Sequence, residues 1–274
     1  MSGRVHLPGG SGGVWYEMDP VFGRVVHRPT GPWTSAVHEL LRYLRQAGLG
    51  GVPEVVGIDS DGAEMLTFLS GRSLAPDDEE PSDTVLVSAA EWLRRFHDAV
   101  AEFTPDGPRV WRQTTADLAA GQVVCHNDPG TYNWVIDGDA FVGLIDWDQA
   151  GPGHPIDDVA FLCWTGIPLF REIPAADAAR RVALVARAYG GIRAHAPKAP
   201  RGAQRHVEKA WGASALLDAV ADRMTRASER IAQGIERGDP GMLALQQHGE
   251  PARTRARVEL FLERLPAIRA ELAV

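Results

Sequence analysis

The period of the apolar positions changes along the chain, and those changes divide it. Residues 14–18 and 21–27 are short runs rich in β-branched and aromatic side chains, which predicts two strands. Pro29, Gly31 and Pro32 break the second run. From Thr34 or Ser35 the spacing becomes helical: Val37, Leu40, Leu41 and Leu44 make one stripe, and Gly48, Gly50 and Gly51 end it. Residues 54–58 and 64–69 return to strand character around a turn at Asp59-Ser60-Asp61-Gly62. The opening section therefore predicts strand, strand, helix, strand, strand, an α+β unit with one face that needs cover.

Residues 75–83 are acidic and carry two prolines, which predicts a loop after a boundary near Gly71. A helix follows over about 84–101, with Leu86, Ala90, Leu93, His97 and Val100 on its stripe, so His97 reads as a packed core histidine. After Pro105 and Pro108 come three β-rich runs, 123–126, 134–137 and 141–146, the last two joined by the hairpin signal Asp137-Gly138-Asp139. From Asp157 onward the chain is helical in character. Val220, Met224, Ala227 and Ile231 form one stripe, and Val258, Phe261, Leu262 and Leu265 another. The organisation expected is a β-rich lobe over 1–71 and a larger, mainly helical lobe over 72–274, sharing a cleft.

Composition narrows the function. The chain has 274 residues, 45 % of them apolar, enough for a substantial core without staples. The net charge of −8 disfavours a nucleic-acid partner, which needs a basic face. Cys125 and Cys163 show no CxxC spacing, so neither a zinc site nor a disulfide framework is expected. The first 13 residues lack the apolar run of a signal peptide, and no segment approaches a membrane span; a cytoplasmic protein is expected.

The chemistry concentrates between Val123 and Ala160. Asn133 follows Asp128 by five residues, and Asp146 follows it by eighteen, at the end of the second hairpin strand. Phosphoryl transfer to an alcohol needs a carboxylate near the hydroxyl and cations between the phosphates. Mg²⁺ takes oxygen ligands, usually one or two carboxylates with phosphate oxygens and water. An Asp and an Asn bracketing a short loop can face one cavity, and a hairpin can return a third group beside them. Asp128 is then left for the hydroxyl, and Asn133 and Asp146 for the metal. Asp137 and Asp139 read as turn residues.

The segment resembles the catalytic core of the aminoglycoside phosphotransferase and choline kinase-like enzymes. The residues that carry the resemblance are His126, Asp128 and Asn133, then Leu144-Ile145-Asp146-Trp147, Gly151-Pro152-Gly153 and Asp158-Val159-Ala160. It implies a protein kinase-like two-lobed fold and a nucleotide donor, ATP or GTP. Asp128 would orient or deprotonate the acceptor hydroxyl, with His126 a structural member of the same catalytic loop. Asn133 and Asp146 would hold Mg²⁺, and Asp158 would support the loop. Asp148 reads equally as a supporting acid or a surface residue. Thr67, Phe68 and Leu69 fall in the linker expected to pair with the purine. The partners implied are a nucleotide and a small-molecule hydroxyl acceptor, in a monomer or homodimer. Residues 28–38 also resemble a subgroup likened to peptide-antibiotic immunity proteins.

The family pattern wants a lysine on the third strand, gripping phosphates and held by a helix glutamate. No lysine precedes Lys198. His27 and Arg28 are the positional candidates, with His38 or Glu39 on the helix. The glycine loop containing Gly10, Ser11 and Gly12 could cover phosphates with backbone N–H groups. Three functions follow: a small-molecule kinase, a non-catalytic kinase-fold immunity or binding protein, or a kinase acting on Ser or Thr of a peptide natural product. For a polycationic aminoglycoside acceptor, Asp157, Asp177, Glu208, Asp218, Asp222 and Glu250 could contribute carboxylates, though each also reads as a solvated charge.

Overall fold

The computed structural model describes residues 4–7, 13–75, 79–104, 109–191 and 211–273. Five strands, β1 (Val5–His6), β2 (Trp15–Asp19), β3 (Gly23–Arg28), β4 (Val55–Ile58) and β5 (Glu64–Thr67), form one antiparallel sheet in the order β1-β2-β3-β5-β4. Asp19 closes the β2–β3 hairpin by accepting the N–H groups of Val21 and Phe22 at 2.7 and 2.8 Å. On β3 the side chains alternate, so His27 and Arg28 fall on opposite faces. Arg28 sits directly opposite Glu64 of β5. The helix α1 (Thr34–Gln46) supplies the cover that the sheet needs and buries Val37, Leu40, Leu41 and Leu44, each worth about 1.5–3 kcal/mol of transfer free energy.

The larger part is mainly helical. α2 (Asp83–Val100) starts at Ser82, whose side chain caps the N–H of Val85. It packs against α4 (Ala175–Gly191), while α3 (Pro155–Gly166) packs against α5 (Ala213–Glu236). α5 also contacts α6 (Pro240–Gln247) and α7 (Ala252–Leu272). Two small ribbons are set among them: β6 (Val123–Cys125) with β9 (Gly151–Gly153), and β7 (Trp134–Asp137) with β8 (Ala140–Leu144). The fold is α+β, a small antiparallel sheet and a larger, mainly helical part. Among the described residues no helix is long and apolar enough to cross a membrane.

The two parts are joined by backbone. The N–H groups of Arg72 and Ile136 each donate to the other residue's carbonyl at 2.9 Å, tying the segment after β5 to β7. Beyond α1, the carbonyl of Gly51 accepts the N–H of Leu144 at 3.0 Å. A Cβ at Gly143 would stand 2.0 Å from that carbonyl, so the approach requires glycine.

Some elements differ from the expectation. β1 and β9 carry no hydrophobic pattern of their own, and Gly151-Pro152-Gly153 becomes a strand only by pairing with β6. The run at 141–146 stops at Leu144, because Asp146 turns into the left-handed region at φ 62°. On α7 the fully buried positions are Thr254, Phe261 and Ile268, every seventh residue, and Leu262 is 47 % exposed. That spacing is the narrow seam of a helix packed on neighbouring helices rather than the broader stripe expected.

Candidate active site

The loop after β6 is held from below by one carboxylate. Asp158, in the first turn of α3, is fully buried. Its oxygens accept the N–H groups of His126 and Asn127, each at 2.8 Å, and the Nε2–H of His97 at 3.1 Å. His97 in turn takes the hydroxyl of Tyr189 on Nδ1 at 2.9 Å. Burial alone would raise the Asp158 carboxyl, but the bonds and charge from His97 and the loop outweigh it and hold it below the usual carboxylate range. With the loop held this way Asn127 adopts φ 64°, which for a non-glycine residue is strained. Its side-chain amide donates to the carbonyls of Gln149 and Gly151 at 3.0 and 3.2 Å, so the strain is offset locally.

His126 points away from solvent. Its Nε2–H donates to the carbonyl of Ile145 at 3.2 Å, and its ring meets Trp147 edge-on at 4.6 Å. Burial lowers its pKa, so the ring is neutral. This placement links the loop to the residue preceding Asp146 and gives His126 a positioning geometry.

Asp128, Asn133 and Asp146 converge. Asn133 ends a 3₁₀ turn, Thr131–Asn133, and spends its amide protons on Asp128, at 2.9 Å to the carbonyl and 3.1 Å to Oδ2. That orientation leaves Asn133 Oδ1 as the acceptor end. The carbonyl of Asn133 also takes the N–H of Ile145 at 3.0 Å, which brings Asp146 alongside. The Asp146 side chain is 51 % exposed. Asp128 Oδ1 accepts the hydroxyl of Tyr132 at 2.6 Å. Burial pushes the Asp128 carboxyl up to about 6; the Tyr132 bond opposes this, the Asp146 charge adds to it, and Arg223 and Arg230 oppose it. A carboxylate of that strength is ionised at neutral pH and still a competent proton acceptor. In the metal-free protein the Asp128 carboxyl is expected to titrate near 6, as read from its carboxyl ¹³C shift against pH. A metal-free midpoint near 4 would contradict that assignment.

The candidate phosphate grip resolves into one residue. Arg28 reaches the site: its Nε donates to Glu64 Oε1 at 2.9 Å, and its Nη2 lies 3.1 Å from Asp146 Oδ1 and closer still to Asp148 Oδ1. Glu64 binds His38 Nε2 at 2.8 Å on its other oxygen. The carboxylate between the α1 side chain and the strand cation therefore comes from β5. Glu39 is not part of it and pairs with Arg109. His27 is a correction to the expectation. It faces away, stacked on Trp15 at 3.7 Å with Nδ1 at 2.7 Å from Asp59. Asp148 lies in the network, its Oδ2 taken by Arg112 at 3.3 Å, and burial raises its pKa. Of the linker residues, Thr67 and Phe68 commit their N–H groups to the carbonyls of Glu54 and Arg24 at 2.9 and 3.0 Å. Among the described residues the N–H of Leu69 has no backbone partner. Gly10, Ser11 and Gly12 lie outside the described residues.

Asp128 and Tyr132 open onto a cavity of about 470 Å³ walled by α3, α5, α6 and α7. Phe161, Trp164 and Phe170 give it aromatic walls, and Arg230 lines it as well. Of the acids considered for a polycationic acceptor, Glu250 lines this cavity, Asp157 and Asp218 pair with Arg226 and Arg269, and Glu208 lies outside the described residues.

Residues 24–122 and 108–197 match a model of the phosphotransferase enzyme family. The chain belongs to this family. A stretch of 166 residues is 39 % identical to the trifolitoxin immunity protein of Rhizobium leguminosarum bv. trifolii, covering 59 % of this chain and 61 % of that protein. Among solved structures, an amicoumacin kinase in complex with AMP-PNP, Ca²⁺ and Ami aligns over 96 % of this chain and 87 % of its own, at TM-score 0.60 and 13 % identity. A microcompartment-associated aminopropanol kinase aligns over 99 % and 93 %, at TM-score 0.57 and 12 % identity. A putative aminoglycoside phosphotransferase from Ralstonia eutropha aligns over 97 % and 93 %, at 0.57 and 14 %. These likenesses give the chain a kinase-like fold.

Within this family member three residues of the candidate site escaped the sequence reading: Tyr132, Arg223 and Arg230. Tyr132 was visible as an aromatic beside Asn133, with nothing to say that its hydroxyl turns onto Asp128. Arg223 and Arg230 are seven apart on α5 and border the Val220–Met224–Ala227 stripe, the one signal that they face inward.

Proposed function

We propose that the protein transfers the γ-phosphoryl group of ATP or GTP, with Mg²⁺, to a hydroxyl of a small molecule or short peptide. The observation that carries this reading is a carboxylate poised near 6, Asp128, bonded to Asn133, beside Asp146 and open to the cavity. Asp128 takes the proton as the acceptor oxygen attacks the phosphorus, and Tyr132 and Asn133 orient its two oxygens. The donor set Asn133 Oδ1 and Asp146 is all oxygen, which suits Mg²⁺. Bound there, Mg²⁺ would offset charge on the phosphate oxygens. Leu69, whose N–H has no backbone partner among the described residues, would present it to the purine edge. The test is binding of ATP and GTP by calorimetry with and without Mg²⁺, followed by a labelled-nucleotide screen of hydroxyl acceptors. No Mg²⁺-dependent binding at millimolar nucleotide would sink the reading.

Arg28 takes the phosphate-gripping role, since a guanidinium can hold phosphate oxygens bidentately. Arg28→Met is expected to weaken Mg²⁺-nucleotide binding by about tenfold, the loss of one charge-assisted contact. Tighter binding in that variant would mean that Arg28 instead competes with the metal for Asp146.

A second reading has its own support. Arg28 already occupies Asp146 and Asp148, and a relative 39 % identical over part of its length is named an immunity protein. A kinase-fold protein that confers immunity by binding alone would keep that function in an Asp128→Asn variant, whereas one that acts by phosphorylation would lose it.

A further inference from the structure

The cavity beside Asp128 contains a guanidinium, Arg230, that forms no ion pair among the described residues. Its Nε is buried with no hydrogen-bond partner. Asp128 feels its field but is bonded to Tyr132 and Asn133 instead. An unpaired, partly buried cation is costly unless something else brings the opposite charge.

Two acids of the same cavity are spent in ion pairs. Glu79 is held bidentately by Arg72 at 2.8 and 2.5 Å, and Glu80 by Arg181 at 3.3 Å. Glu250 gives one oxygen to the N–H of Thr254 at 3.0 Å. Among the described residues that leaves Asp128 and Glu250 as the cavity carboxylates outside an ion pair, with Arg230 as the cation set against them. Two turns back on α5, Arg223 is fixed by the carbonyl of Asn127 at 2.8 Å and lies over the Phe161 ring at 4.5 Å. Burial, and then repulsion from Arg230, push Arg223 down to about 10. Two guanidiniums on one helix face, of which Arg230 makes no ion pair among the described residues, make a receptor for a third party's negative charge. Phe161 and Trp164 meet edge-on at 5.0 Å and, with Phe170, leave flat apolar surface around it.

We infer that the acceptor is an amphipathic hydroxy-carboxylate rather than a polycation. Its anionic group seats on Arg230, its apolar body lies against Phe161, Trp164 and Phe170, and its hydroxyl reaches Asp128. A short seryl or threonyl peptide with a free carboxylate has that chemistry. The inference rests on the phosphotransferase reading for the hydroxyl, and on the cavity alone for the anion.

The probes are N-acetyl-Ser-Phe with a free carboxylate, its C-terminal amide, and kanamycin as the polycation. Each is titrated against the full chain with Mg²⁺ and a non-hydrolysable nucleotide, using ligand-observed NMR, and each is then offered with labelled nucleotide. The free acid is expected to bind at least about tenfold tighter than the amide. Arg230→Gln is expected to remove the difference and Arg230→Lys to keep part of it, both with the thermal midpoint of the parent. Equal affinity for acid and amide, preference for kanamycin, a preference that survives Arg230→Gln, or no peptide binding at millimolar concentration would each overturn it. Acid-selective binding without label transfer would leave this inference standing and count against the phosphotransferase reading. Label transfer to acid and amide alike would do the reverse.

Discussion

Asp128→Asn is expected to lower turnover of an accepted substrate by about 10²–10⁴-fold while leaving Mg²⁺-nucleotide affinity within about twofold. The substitution preserves shape and removes the ability to take a proton. Nucleotide affinity changes little because the proposed metal donors are Asn133 and Asp146, and Asp128 turns its two oxygens to Asn133 and Tyr132. Stability is expected to hold or rise slightly, since burial already disfavours the Asp128 carboxylate and raises it to about 6. The result is read as a split: kcat collapses, the nucleotide dissociation constant does not, and the acid limb of the rate profile disappears from whatever activity remains. Retention of turnover within tenfold would remove Asp128 as the base. The effect exceeds that expected of Arg28→Met because proton transfer has no substitute nearby: Tyr132 is pushed well above its ordinary pKa by burial and by Asp128, and neutral His126 faces Ile145.

How much of this was legible beforehand depended on whether a feature is local. The strand–strand–helix–strand–strand order was readable because each element writes its own period, and Leu40, Leu41 and Leu44 face inward in α1 as their spacing demands. The Asp128, Asn133 and Asp146 set was readable as a motif, and the structure brings those three side chains together. What was hidden lies across strands. Glu64 stands between His38 and Arg28 because β5 pairs with β3 in one particular register, and no local pattern specifies that register. His27 and Arg28 were indistinguishable in the chain and opposite in space, because one residue along a strand reverses the face. Tyr132 and Arg230 depended on side-chain direction over a cavity that four helices close, which spacing alone cannot supply.

Removing the carboxylate under the loop is expected to cost more stability than any change at its tip. Asp158→Ala leaves the N–H groups of His126 and Asn127 and the Nε2–H of His97 without partners, in a place that water does not reach. Breaking a buried charged hydrogen-bond cluster from one side costs about 3–5 kcal/mol. The sign with pH follows from the direction of its shift. The folded carboxyl titrates below its usual range, so its stabilisation is complete above the unfolded value of about 4 and is lost only as pH falls through the lower, folded one. The deficit of the variant should therefore be the same at pH 7 and pH 5 in denaturant melts, and shrink only in stronger acid. Asp158→Asn should cost less, because its carbonyl oxygen can still accept one amide, while its own N–H₂ then faces a second donor. In the alanine variant the left-handed turn at Asn127 loses its Oδ1 anchor, so at low temperature, where the chain remains folded, kcat should fall with little change in nucleotide affinity. A deficit under about 1 kcal/mol would mean that the amide cluster finds other acceptors, and that the loop carrying Asp128 is held by Asn127 and Asn133 rather than by the helix beneath it.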